Sequence, residues 1–194
     1  MDSRTTIQSL PLHLTSLAII SPTNGPLFVH SFTGKSDELR HYHLAHAAID
    51  VIEERIVMTS TPTKPADSYL GLLFCMEDMA FYGFQSNTKL RIVLSVALVD
   101  AMIKDSDIVA IFRAVLHLLL TVSHNPFLSL PSSFRARTAA QAGHQERKII
   151  NPSIPTAKMF GFAPGELQPE WFGDSVRFQA GIERIGRLLT GGRA

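Results

Sequence analysis

Three histidines in the run HYHLAH, His41, His43 and His46, are the first residues whose type and spacing suggest chemistry, because crowded imidazoles can ligate a metal. A helix turns about 100° per residue, so His41 and His43 point roughly 200° apart and three ligands do not converge on one ion. They read as surface or core-edge histidines. Glu77 and Asp78 are adjacent: on a strand they diverge and in a tight turn they stay wet, which disfavours a paired-carboxylate enzyme. Cys75, the single cysteine, lies in an apolar run and reads as a buried, inert thiol, since burial raises a thiol's pKa. One cysteine allows no internal disulfide and no CxxC redox or zinc-ribbon site. The chain has no GxGxxG, GxxxxGK[ST] or GxSxG, the usual signatures of phosphate-cradling loops and nucleophile elbows. Asn125, Pro126 and Phe127 have two readings, a short peptide ligand for endocytic modules or a helix stop with Phe127 plugging the core.

The elements that must position these residues follow from periodicity. LTSLAII (14–20) and LFVHSF (27–32) are β-prone runs joined by SPTNGP, whose Asn and Gly tolerate positive φ, and so predict a hairpin. Ser36 is placed to cap a helix over 37–58, with Asp37 and Glu38 at its positive end. Leu39, Tyr42, Ala45, Ile49, Ile52 and Ile56 predict a core-facing stripe; Leu44, Ala47, Val51 and Met58 form a weaker stripe on another side. TSTPTKPADS (59–68) breaks the helix. Three strands follow at 69–76, 79–85 and 90–96, with Leu90, Ile92, Leu94 and Val96 on one face and Val93 on the other. Because YLGLLFCM (69–76) is apolar on both alternating faces, both sides of its sheet are expected to be covered.

A second helix runs from Asp105, Ser106 or Asp107 to about Ser123 and is stopped by Asn125 and Pro126. It is apolar almost all round, so it needs two covers. Residues 132–174 are polar and punctuated by Gly and Pro, which predicts a disordered insertion. A last helix over 175–189 turns Phe178, Ile182, Ile185 and Leu189 inward; 1–13 reads as a flexible N-terminus and 190–194 as a fraying tail. The order β-β-α-β-β-β-α-α predicts an α+β domain, with one sheet covered by helices on opposite faces.

Composition agrees. At 194 residues, 45% hydrophobic and 18% charged, the chain can bury one sizeable core. Its longest apolar run, 108–122, is broken by Arg113 and His117 and falls short of the roughly 18 residues needed to cross a bilayer. MDSRTTIQSLPLHL has no compact apolar core of a secretory signal, so a cytosolic protein is expected. Residues 1–134 carry nine basic against twelve acidic side chains and 135–194 nine against five. A basic tail of this size suits an acidic partner, an anionic membrane, or plain solvation.

In order and wording the chain resembles the sedlin-like subunits of the trafficking protein particle (TRAPP) complex. The resemblance rests on LAIISPTNGPLFVHSF, HAAIDVIEER, YLGLLFCMEDMAFYGFQSNTKLRIVLSV and SHNPF, nearly continuous over 14–127, and more loosely on SVRFQAGIERI. It implies a longin fold, a five-stranded, mostly antiparallel sheet with one helix on one face and two on the other. The longin domain would then comprise 14–131 and 175–189, interrupted by an insertion longer than the family's short loop. The resemblance further implies no catalytic site and no cofactor, and a place among other small TRAPP subunits and the large TRAPP II-type subunits. It implies an indirect link to a Rab GTPase, no nucleic acid, and attachment to Golgi and ER-Golgi membranes only through the complex. A coat-adaptor small chain is the alternative, distinguished by which large partner co-purifies. A longin-type SNARE would need a heptad segment and a membrane anchor that this sequence does not show.

Asp50 matches an acidic position of the family motif and lies between the two apolar stripes, with Glu53 and Glu54 one turn away. It is either a solvated helix carboxylate or part of a docking face of Leu44, Ala47, Asp50, Val51 and Glu54. In the second case the apolar groups supply area and the acids fix register against basic groups on another small subunit.

Overall fold

A computed structural model of the protein describes residues 12–61, 63, 66–98, 103–125, 167 and 169–189. Two strands, β1 (Leu14–Ile20) and β2 (Pro26–Ser31), precede α1 (Glu38–Thr59). Strands β3 (Tyr69–Met76), β4 (Met79–Gln85) and β5 (Arg91–Ala97) lead into α2 (Asp105–Ser123). A five-residue helix, α3 (Pro169–Gly173), and α4 (Val176–Leu189) complete the described chain. The strands form one sheet in the order β2-β1-β5-β4-β3, and all four pairings are antiparallel.

Alternation along β5 separates the two faces. Ile92, Leu94 and Val96 join Leu17, Ile19, Phe112, Val115 and Phe178 beneath α2 and α4, whereas Val93 joins Ala18, Phe81, Ile49 and Ile52 beneath α1. Helix α1 therefore covers one face, while α2 and α4, accompanied by the short α3, cover the other, consistent with the longin arrangement. Ser95, wholly buried, is satisfied by the Thr15 and Ser16 hydroxyls at 2.5 and 2.6 Å across the β1–β5 ladder. By length and composition α2 could span a bilayer, yet Ile108, Ile111, Phe112, Val115 and Leu119 are committed to the core. Its second cover is α4, so close that a Cβ on Gly181 would lie 2.9 Å from the Leu118 methyls.

Several expectations are corrected. Ser36 does not cap α1: a 3₁₀ turn spans Lys35–Asp37, and the Asp37 carboxylate accepts the Thr33 hydroxyl at 2.9 Å instead of capping a backbone N–H. The buried stripe of α1 is His41, Ala45, Ala48, Ile49 and Ile52, and Leu39 is 67% exposed. Small Ala45 and Ala48 let the helix settle onto the sheet, where Ile52 reaches Gly83. Strand β3 is not dry on both faces. It is an edge strand, with β4 as its sole ladder partner among the described residues, and register shifts at Tyr69/Gly71 and Leu72/Phe74 break its alternation. Leu72, Met76 and Cys75 are exposed there, so Cys75 is not the buried thiol expected.

Inside the stretch expected to be an insertion, α3 buries Phe172 completely against Phe178, 5.3 Å between ring centroids. Leu12 and His13, expected to be flexible, are tied down: Leu12 N–H donates to Leu189 O at 3.0 Å and Ala97 N–H to His13 O at 2.9 Å. The expectations for 1–11, 126–166 and 190–194, Pro126 and Phe127 included, lie outside the described residues.

Candidate functional site

The outward side of α1 is a surface that the fold leaves largely exposed. Helical phase turns Leu44, Ala47, Asp50, Val51 and Glu54 onto one arc of roughly 120°. Ala47, Asp50 and Glu54 are exposed, while Leu44 and Val51 are half-buried against the α1-side core. The structure therefore brings all five expected residues together. Asp50 has no hydrogen-bond or ion-pair partner among the described residues. Glu53 turns to the opposite flank and pairs with Arg91 at 2.8 Å.

Both flanks of α1 are pinned. On the β3 side, the Arg40 guanidinium grips the Glu77 carboxylate, with Nε at 2.7 Å, and Arg55 Nη1 donates to Leu70 O at 2.7 Å. On the other side, Arg91 holds Glu53 and also donates to the Asn24 side-chain oxygen in the β1–β2 turn. A surface ion pair contributes about 0–1 kcal/mol. Two such pairs, one on each flank, together with the Arg55 and Asn24 hydrogen bonds, fix orientation more than stability.

Periodicity placed Met58, 74% exposed, on this side of the helix but missed Val57 beside it and Leu39 at the start of α1, 75% and 67% exposed. Leu39 and Val57 lie eighteen positions apart, which returns a helix to the same phase. Exposed aliphatic groups in the first and last turns were the available signal.

The other chemistry-bearing residues disperse. His41 is buried, His43 exposed, and His46 half-buried with Nε2 2.9 Å from the Tyr42 hydroxyl. Among the described residues no three His, Cys, Asp or Glu side chains gather as metal ligands would. Burial lowers the His41 pKa, opposed by Asp37, and burial likewise lowers that of His30, opposed by Glu183. Tyr69 donates its hydroxyl to Asp105 Oδ1 at 3.0 Å; burial first, then that carboxylate, keep the phenol protonated well above its usual range. Glu77 and Asp78 form the exposed β3–β4 turn, both with positive φ. What remains on α1 is an exposed face that combines acidic and apolar side chains.

The family model described as Sedlin matches residues 19–145. The chain is 31% identical over 131 residues to the trafficking protein particle complex subunit 2-like protein of Dictyostelium discoideum, a match covering 66% of this chain and 91% of that protein. Against the protein of the same name from Rattus norvegicus it is 30% identical over 122 residues, 62% of this chain and 87% of that one.

Proposed function

The chain belongs to the sedlin family, and from that premise we propose that it is a non-enzymatic assembly subunit of a TRAPP vesicle-tethering complex. In this reading it acts in ER-to-Golgi and Golgi traffic, contacts small and large TRAPP subunits, and serves a Rab exchange activity that resides in the ensemble. It reaches Golgi and ER-Golgi membranes as part of the assembly. The observation that carries the proposal is the α1 arc: a long helix, pinned on both flanks, that exposes Ala47, Asp50 and Glu54 and leaves Leu44 and Val51 half-open beside them.

Docking uses the two kinds of group differently. Apolar side chains lose water on contact and contribute area, at about 25 cal/mol per Å². Asp50 and Glu54 select a partner surface carrying Lys or Arg and fix the register of approach. Asp50→Arg should lose capture of a small TRAPP subunit in affinity purification with mass spectrometry while its circular dichroism stays unchanged. Undiminished capture by a folded variant would dispose of the arc, and recovery of coat large chains in place of TRAPP subunits would dispose of the TRAPP assignment.

A further inference from the structure

The outward side of α4 carries charge that neither the fold nor the α1 arc uses. Val176, Arg177, Ala180, Arg184, Arg187 and Leu188 share an arc of roughly 120° at about 100° per residue. It lies opposite Phe178, Ile182 and Gly186, which are buried. All six residues are exposed, Val176 at 79% and Leu188 at 63%, and none of the three arginines has an ion pair among the described residues. The one acid of the helix, Glu183, sits on the flank turned towards β2, where its charge is felt by His30. Asp174 precedes the helix by two residues and lies outside this arc.

We infer that this face of α4 rests directly against an anionic membrane surface, its guanidinium groups among the lipid phosphates and carboxylates. Guanidinium groups bind such oxygens in a bidentate manner. The surface is a convex helix side with no aromatic anchor, which favours a plane of headgroups that needs no fixed register over a protein interface that needs a desolvated core. Because the apolar stripe of α4 is occupied by the domain core, the helix adsorbs rather than inserts. Asp50, Glu53 and Glu54 lie across the sheet on α1, so repulsion turns the docking arc away from the same membrane. Each arginine near an anionic surface raises partitioning about fivefold, and three together about a hundredfold, less as salt rises.

Flotation of the full chain with vesicles of phosphatidylcholine, alone or mixed with phosphatidylserine, tests this. The mixed vesicles should capture the protein at low salt and release it as salt rises, and the neutral vesicles should not capture it. The triple variant R177E/R184E/R187E, folded by circular dichroism, should lose about tenfold or more of the captured fraction; the triple Arg→Lys variant should retain most of it. Equal flotation on neutral vesicles, or an unaffected triple charge reversal, overturns the inference. It is also overturned if wild type fails to float on the mixed vesicles; loss of capture of a TRAPP subunit by the charge reversal would then assign the face to a protein. Asp50→Arg should float like wild type, so loss of partner capture by that variant bears on the α1 proposal alone.

Discussion

Arg55 on α1 and Leu70 on β3 are joined by a 2.7 Å hydrogen bond from the guanidinium Nη1 to the main-chain carbonyl, and Nη2 of the same group reaches Leu73 O at 3.5 Å. Leu70 and Leu73 stand at the two register shifts of β3, where the ladder to β4 leaves a residue out. One side chain thus holds both irregularities of an edge strand. Bulges there bend the strand and blunt its tendency to pair with other chains.

Arg55→Met keeps most of the aliphatic stem and removes both donors. It should cost about 2 kcal/mol, within the range for hydrogen bonds from charged groups. Backbone amides of 70–74 should exchange faster in hydrogen-exchange mass spectrometry. Arg55→Lys should recover only part of the loss, because one ammonium does not span two carbonyls. Wild-type exchange in Arg55→Met would show that the strand holds its own shape.

Phe172 gives a second measurement. If 132–174 were wholly an insertion, Phe172→Ala would be silent. With the ring completely buried against Phe178, the substitution should instead cost about 3–5 kcal/mol in urea-induced unfolding.

The sheet and its two faces were legible because alternation survives in the central strands: Ile92 and Leu94 face α2 while Val93 faces α1. Cys75 was misread because an apolar run does not say whether its strand is central or at an edge, and the shifts at Gly71 and Phe74 scramble the faces. Leu39 was misread because small residues, Ala45 and Ala48, mark the contact line of α1 and carry little hydrophobic signal. Phe172 was hidden in a stretch whose glycines and prolines outweigh one short helix. The shared phase of Leu44, Ala47, Asp50, Val51 and Glu54 was legible from the helical period, while the exposed apolar residues Leu39 and Val57 were not.

Acid should weaken the fold through His41 and His30. Their folded pKa values are lowered by burial, so as pH falls through 6.5 the unfolded chain takes up protons that the folded chain does not. Stability is therefore full above the ordinary imidazole value and is lost as pH falls from there towards the lowered folded values. The thermal midpoint should drop over that interval, and the double variant His30→Met/His41→Met should show a flatter profile. An equally steep profile would assign the acid sensitivity to other groups.

The β3–β4 turn is under mild backbone strain that can be relieved. Glu77 and Asp78 have φ of 53° and 59°, the conformation in which glycine and asparagine are favoured. Asp78→Gly should stabilise the protein by about 0.5–1 kcal/mol, read as a higher urea midpoint. Arg40 and Glu77 are both still present in that variant, so their pairing does not confound the comparison.

Placing β1 between β2 and β5 has a consequence for synthesis on the ribosome. Ser16 meets Ser95 across 79 positions of sequence, so the nascent chain holds its first hairpin with one bare flank until β5 has left the exit tunnel. Such long-range closure slows folding and leaves an open strand that other polypeptides can seize. The strand order itself thus sets how long that flank of β1 stays unpaired during synthesis.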